Sequence, residues 1–171
     1  MSDVTEYKDV VIIGAGLSGI GAACHLKRNC PSKTFSIIEA RSSIGGTWDL
    51  FKYPGVRSDS DMYTLGYKFK PWQGAKAIAD GPSILNYIVE TANENDILDK
   101  INFNKKLVEA SWNSDNQNWQ LTIQDSITER QKLVDCNFLY MCAGYYSYTN
   151  PHSPEFPDIE KFEGKIIHPQ L

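Results

Sequence analysis

Three glycines, Gly14, Gly16 and Gly19, stand in "GAGLSG" between an apolar run and a stretch of small residues, and Glu39 closes the next apolar run. In such a turn the first glycine permits the tight bend, the second lets backbone come close to a pyrophosphate, and the third lets helix and strand pack. The helix amino end that follows offers unpaired N–H groups and a partial positive charge to a phosphate. An acid at the end of the second strand, here Glu39, can accept hydrogen bonds from ribose hydroxyls. Alone the glycine pattern is weak, and its setting gives it weight: a strand before, a helix after, and the acid twenty residues beyond Gly19. Gly14, Gly16, Ser18, Gly19 and Glu39 are therefore candidate dinucleotide contacts, with NAD and FAD both open.

The stretch after Glu39, "ARSSIGGTWDLFKYPGVRSD", helps to separate them. A nicotinamide-only domain goes on from the acid into another short crossover, whereas this segment shows turn formers, aromatics and charges with no early helix pattern, as if wrapped around something large. Gly45 and Gly46 let backbone pass a planar ligand without a Cβ in the way. Trp48 adds an apolar ring with one N–H donor, suited to the edge of an isoalloxazine.

The elements that must position these residues follow from periodicity. "KDVVIIGAG" is a continuous apolar run, as in a parallel strand covered on both faces. "LSGIGAACHLKRN" carries Leu17, Ile20 and Cys24 at helical spacing, ends on Lys27 and Arg28 where cations suit the carboxyl end, and is stopped by Pro31. "TFSIIEA" completes a βαβ unit, for which a right-handed crossover is expected. "PSILNYIVETANEN" places Ile84, Ile88 and Ala92, with Leu85 and Val89, on one helical stripe read as core packing. "KINFNKKLVEASW", "NWQLTIQ" and "QKLVDCNFLYMCAG" read as three strands, a β-meander with a return strand. The class is α/β: a Rossmann-like domain with a parallel sheet, helices and a meander.

Composition excludes other classes. With 42% hydrophobic and 22% charged residues in 171, the chain supports a hydrophobic core. Seventeen basic residues against 21 acidic ones, a net charge of −4 and no basic block argue against a nucleic-acid partner. The start has acids where a signal peptide needs a basic region, and its apolar run is too short to span a bilayer, so a cytoplasmic protein without stable membrane insertion is expected. Cys24, Cys30, Cys136 and Cys142 form no C-x-x-C pair and are read as buried free thiols. No metal cluster is visible, and His25 and His152 are read as structural or exposed.

The residues now reach a family resemblance. "GGTWDLFKYPGVRSD" resembles the [G/A]-G-x-W-x(4)-[F/Y]-P-G-x(3)-D signature of the class B flavoprotein monooxygenases of Baeyer-Villiger type. The tail "KFEGKIIHPQL" resembles their F-x-G-x-x-x-H-x-x-x-W-[P/D] fingerprint, with Phe162, Gly164 and His168 in place and the chain ending one residue before the tryptophan. "SDSDMYTLGYKFKPW" and "AIADGPSILNYI" look most like the branch containing the ethionamide-activating monooxygenases. The resemblance covers essentially the whole chain and implies the N-terminal part of a longer enzyme: residues 1–150 as the beginning of an FAD-binding domain, 151–171 as a linker toward an NADP-binding domain that is absent.

The cofactors so implied are FAD and NADPH, and the co-substrates O2 and a small ketone or organosulfur compound. In the family, NADPH reduces FAD and a flavin C4a-peroxide forms with O2. It transfers one oxygen atom into a ketone, giving an ester or lactone, or onto the sulfur of a thioamide or sulfide. An arginine beyond residue 171 stabilises the developing charge, so the rest of the chain is needed for activity. By resemblance, Gly46, Thr47, Trp48, Asp49 and Leu50 line the flavin, and Asp59 sits at its reactive edge as the catalytic carboxylate, while a turn or cap role in "SDSD" stays open for it. Arg57 and Ser58 are carried over as NADP contacts, and Leu107 as a backbone contact to adenine whose side chain can equally be core. Arg41 faces the FAD phosphates or lies solvated on the surface. His168 serves linkage between domains.

Two rivals stand beside this reading. A pyridine nucleotide-disulfide reductase would carry a redox cysteine pair just after "GGT", where this chain has Trp48. The other is a non-catalytic FAD-binding fragment or interaction module, which would bind flavin without substrate-dependent oxygenation.

Overall fold

The computed structural model describes residues 6–170. The elements run β1 (Glu6–Ile13), α1 (Leu17–Asn29), β2 (Phe35–Ile38), α2 (Thr47–Leu50), α3 (Met62–Leu65), α4 (Gly81–Glu94), β3 (Ile101–Asn102), β4 (Lys105–Asn113), β5 (Asn118–Asp125) and β6 (Gln131–Met141). They build one six-stranded sheet in the order β3-β2-β1-β6-β5-β4.

The apolar run of β1 is continuous because both of its faces are covered. Side chains alternate across a strand, so Val10 and Ile12 face one way and join Ile20, Cys24, Ile37, Ile84 and Ile88 beneath α1 and α4. Val11 and Ile13 face the other way and join Ile38, Leu121, Ile123, Val134 and Cys136 under the meander. β2 pairs parallel to β1, Val10 opposite Phe35 and Ile13 opposite Ile38. β6 binds both halves of the sheet: Val134–Met141 runs parallel to β1, and Gln131–Cys136 runs antiparallel to β5.

Helix ends follow their sequences. Lys27 and Arg28 in the last turn of α1 reach the end of α4, Lys27 to Asp96 Oδ2 at 3.1 Å and Arg28 to Asn95 Oδ1 at 2.7 Å. Asp80 caps α4 by accepting from the Ser83 N–H at 2.9 Å. Ile84, Ile88 and Ala92 are buried as the stripe requires, and Tyr87 and Thr91 join them, while Leu85 and Val89 are half-buried. Tyr87 earns burial through its hydroxyl, which donates to the Lys70 carbonyl at 2.5 Å and accepts from the Tyr67 N–H at 2.8 Å.

Four expectations need correction. "KINFNKKLVEASW" is two strands, because Asn104 adopts a positive φ of 55° and turns the chain between β3 and β4. The stretch after Glu39 holds one helical turn, α2, too short to leave a periodic signature. Cys30 is exposed at the end of α1, and Cys142 is only partly buried, whereas Cys24 and Cys136 are in the cores. The cap in "SDSD" is Asp61, which accepts from the Thr64 N–H at 2.9 Å, and not Asp59. His25 is exposed and forms a T-shaped ring pair with Phe69, and His152 is exposed. Among the described residues no helix is long and apolar enough to cross a membrane.

Candidate cofactor site

The glycine turn links β1 to α1 at the carboxyl edge of the sheet. Gly14 has φ +104°, and a Cβ there would stand 2.5 Å from the Cys142 carbonyl oxygen, where β6 ends. A Cβ on Gly19 would lie 1.9 Å from the Gly14 carbonyl oxygen, so this glycine lets α1 pack on the turn. Gly16 is different. Its Cβ would meet only Gly46 Cα at 3.6 Å and Gly46 N at 3.9 Å, so two glycine backbones face each other with no side chain between them.

Gly16 is also the N-cap of α1, with no capping side chain and no acid in the first turn. The first N–H groups of a helix have no intrahelical partner, so the amino end of α1, including Ser18, keeps donors and a positive dipole end for an anion. Beside it, Glu39 is 5% exposed. Its Oε2 accepts from the Ala15 N–H at 2.7 Å and its Oε1 from the Arg41 N–H at 2.9 Å. Each carboxylate oxygen retains a second lone pair for a hydroxyl. An uncapped helix end, a backbone free of a Cβ at Gly16 and a buried acid are what a dinucleotide requires, and these residues fit one.

The second wall is the turn from Gly45 to Leu50. Gly45 donates to the Ala15 carbonyl at 3.0 Å, and the Leu85 Cδ1 of α4 would lie 2.3 Å from a Cβ on it, so α4 presses α2 toward the glycine turn. Trp48 packs against the α1 and α4 core. Arg41 donates from Nη1 to the Gly46 carbonyl at 3.2 Å and from Nη2 to Asp49 Oδ2 at 2.6 Å, and Ser43 Oγ donates to the same oxygen at 2.6 Å. Burial pushes the Asp49 carboxyl up, but the Ser43 hydroxyl and the Arg41 and Lys52 charges outweigh it and hold it below the usual range. Tyr148 lies beside this cluster, 5.6 Å from the Arg41 guanidinium to the ring centre, its phenol pushed up by burial and by the Glu39 charge.

The structure thus brings together Gly14, Gly16, Ser18, Gly19, Glu39, Arg41, Gly46, Thr47, Trp48, Asp49 and Leu50. Arg41 is partly buried, with one side-chain donor on Asp49 and one on the Gly46 carbonyl. Arg57, Ser58 and Asp59 lie on the segment between α2 and α3. Ser58 is 2% exposed, donating its N–H to the Ala79 carbonyl at 2.9 Å and accepting the Ala79 N–H on Oγ at 3.2 Å; Arg57 and Asp59 are exposed. Tyr146 lies near Asp59, its phenol raised first by the hydrogen bond with Tyr145 and last by the Asp59 charge. Leu107 packs its side chain in the meander core, at a bulge of β4. His168 bonds within its own segment, to the His152 carbonyl at 3.1 Å and from the Gln170 N–H at 3.1 Å. Among the described residues no group of three His, Cys, Asp or Glu could hold a metal.

Ser43 and Tyr148 were not legible as site residues. Ser43 sits in a polar turn like any other, and Tyr148 arrives from a linker more than a hundred residues along the chain from Arg41.

Comparison with known proteins agrees with this geometry. Residues 12–72 match the NAD(P)-binding Rossmann-like domain, and residues 77–171 match the flavin-binding monooxygenase-like family. The chain is 54% identical over 167 residues to the FAD-containing monooxygenase EthA of Mycolicibacterium smegmatis and 51% identical to EthA of Mycobacterium tuberculosis. Each match covers 98% of this chain and 34% of the relative, so the chain spans about a third of the length of these proteins. A steroid monooxygenase bound to NADP superposes with a TM-score of 0.75 at 30% identity, over 96% of this chain and 31% of the other. OTEMO complexed with FAD and NADP does so at 0.75 and 28% identity, over 99% of this chain and 31% of the other. The sheet, the glycine turn and the matched families converge: this chain belongs to the flavin-binding monooxygenase-like family.

Proposed function

We propose that the full-length protein is an FAD-dependent, NADPH-using monooxygenase. It transfers one atom of O2 to a small molecule, either into a ketone by Baeyer-Villiger insertion or onto the sulfur of a thioamide or sulfide. The second oxygen atom leaves as water, with two electrons from NADPH. The observation that carries the reading is the uncapped amino end of α1, free of a Cβ at Gly16, beside the buried acid Glu39. The names of the similar proteins support FAD and NADP as the cofactors.

Bound there, the flavin supplies hydride acceptance and oxygen activation. The chain's own residues hold it. Backbone N–H groups of the first α1 turn and the Gly46 backbone receive the pyrophosphate, and Glu39 accepts from ribose. Thr47, Trp48, Asp49 and Leu50 form the wall along the ring system, and Leu107 offers backbone to adenine. Asp59, exposed and free of a helix-capping bond, orients groups at the reactive edge, with Arg57 and Ser58 on the nicotinamide side. Residues 1–150 form the first part of the FAD domain, 151–171 lead to the NADP domain, and the protein works in the cytoplasm.

The test uses the full-length protein. Flavin absorbance must accompany the purified chain, and NADPH oxidation in the presence of O2 must rise with a ketone or a sulfide and yield the ester or the sulfoxide. Flavin without substrate-dependent product would leave a binding module instead.

A further inference from the structure

We infer that Arg41 is a positioning residue that holds the Gly46–Leu50 turn in place before any cofactor arrives. The inference rests on the FAD reading above for its consequence, but its physical content lies in the protein alone.

α2 is four residues long. Isolated helices shorter than roughly 12–15 residues are marginal in water, so a single turn must be held from outside. On the α4 side the hold is the packing of Leu85 over Gly45. On the β2 side it is Arg41. Two of its side-chain donors go to this turn, one to the Gly46 carbonyl and one to Asp49. The Arg41 backbone is itself tied down, its N–H donating to Glu39 and its carbonyl accepting from the Asn104 N–H at 3.0 Å. A planar guanidinium can reach two acceptors in fixed geometry, which a lysine ammonium on a flexible stem cannot reproduce. The pair is shielded as well, the Arg41 and Asp49 side chains being 25% and 19% exposed.

The charges argue for the same role. A carboxylate beside a pyrophosphate repels it, so Asp49 would oppose the cofactor if it faced it unpaired. Arg41 at 2.6 Å, Lys52 at 3.6 Å and the Ser43 hydroxyl surround that carboxylate. Asp49 therefore anchors Arg41 and the turn to each other.

The experiment compares the intact polypeptide, stripped of flavin, with its Arg41→Ala, Arg41→Lys and Asp49→Asn variants. Amide hydrogen exchange of Trp48 to Phe51 should accelerate about tenfold or more in Arg41→Ala and Asp49→Asn, with exchange in β1 and α1 unchanged. Tenfold is the low end of what one hydrogen bond to a charged group is worth. FAD should bind about tenfold more weakly to both, with Arg41→Lys intermediate, and the Arg41→Ala/Asp49→Asn double variant should be no worse than Arg41→Ala, since the two act as one unit. Weaker FAD binding in Arg41→Ala with unchanged exchange would mean that the guanidinium touches the cofactor directly, and the inference fails. It also fails if Asp49→Asn tightens FAD binding. Should Arg41→Ala not fold, Arg41→Lys carries the test, because it must still speed exchange at this turn. A parent protein that refuses FAD overturns the proposed function, whereas an unaltered turn in the variants overturns this inference.

Discussion

Gly16→Ala and Gly19→Ala are the same chemical change three residues apart, and the structure separates their consequences. At Gly19 the new methyl would lie 1.9 Å from a backbone carbonyl oxygen, and neither partner is a flexible side chain. Overpacking in a well-packed region costs about 1–3 kcal/mol and occasionally more, and with backbone on both sides the upper end or beyond applies, about 3 kcal/mol. At Gly16 the methyl sits at ordinary contact distance, 3.6 Å from Gly46 Cα, and φ −81°, ψ −170° suits any residue. The remaining stability cost is that of alanine for glycine as an N-cap, about 1 kcal/mol or less. Yet the methyl thickens the backbone at the uncapped amino end of α1, where the proposed pyrophosphate must come close. Displacing even one charged oxygen from a helix N–H forfeits roughly 1.5–3 kcal/mol, so FAD should bind about ten- to a hundredfold more weakly. Urea unfolding of the flavin-free full-length protein and flavin titration read the two effects separately. The reasoning is refuted if Gly16→Ala keeps the parent's flavin affinity, or if Gly19→Ala is as stable as Gly16→Ala.

Further outcomes follow from the same contacts. Asp9 is held at about 2 by the Thr34 N–H and hydroxyl and by Lys33, and Asp125 is held low by Lys105 and two backbone N–H groups. Both are depressed in the fold, so their contribution is present above the unfolded value near 3.8 and is lost as pH falls toward 2; carboxylate NMR should show Asp9 titrating near 2, and Thr34→Ala should raise it. In the flavin-free protein a thiol reagent should label Cys30 rapidly, leaving Cys24 and Cys136 untouched until unfolding, since burial raises both thiols, Cys136 to about 11; equal labelling rates would contradict the packing. Tyr87→Phe leaves the Lys70 carbonyl and the Tyr67 N–H without their partner, which should destabilise by about 1–3 kcal/mol in urea unfolding.

The parts of the fold that were legible are those where one local pattern has one physical cause. β1 reads as a two-sided strand because all of Val10–Ile13 are apolar, and both faces are covered in fact. α4 reads from Ile84, Ile88 and Ala92. The split at Asn104 was hidden because asparagine tolerates a left-handed conformation without announcing it, and the flanking residues suit either strand. Cys30 misled because cysteine as a type is most often buried: it follows the last turn of α1, where the helix has already left the core and its neighbours are exposed.

At the site the division falls between the contacts that a ligand would demand and those that the protein needs to hold itself. Gly14, Gly19 and Glu39 are legible because the tight turn, the close packing of α1 on it and the acid closing β2 fix both their type and their spacing, with Gly16 between them at the helix end. Arg41 and Asp49 were identified as candidate contacts, but their mutual bond was not, since they lie eight positions apart across a turn and no period relates the two. An arginine after the ribose acid invites pairing with a phosphate by charge alone. The distance of 2.6 Å to Asp49 gives it a partner inside the protein, and a shielded donor that already has a carboxylate gains less from a phosphate than a free one would. The charge of Arg41 then acts on the cofactor through the shape of the turn, which is why its removal should show first in the exchange of backbone amides and only as a consequence in flavin affinity.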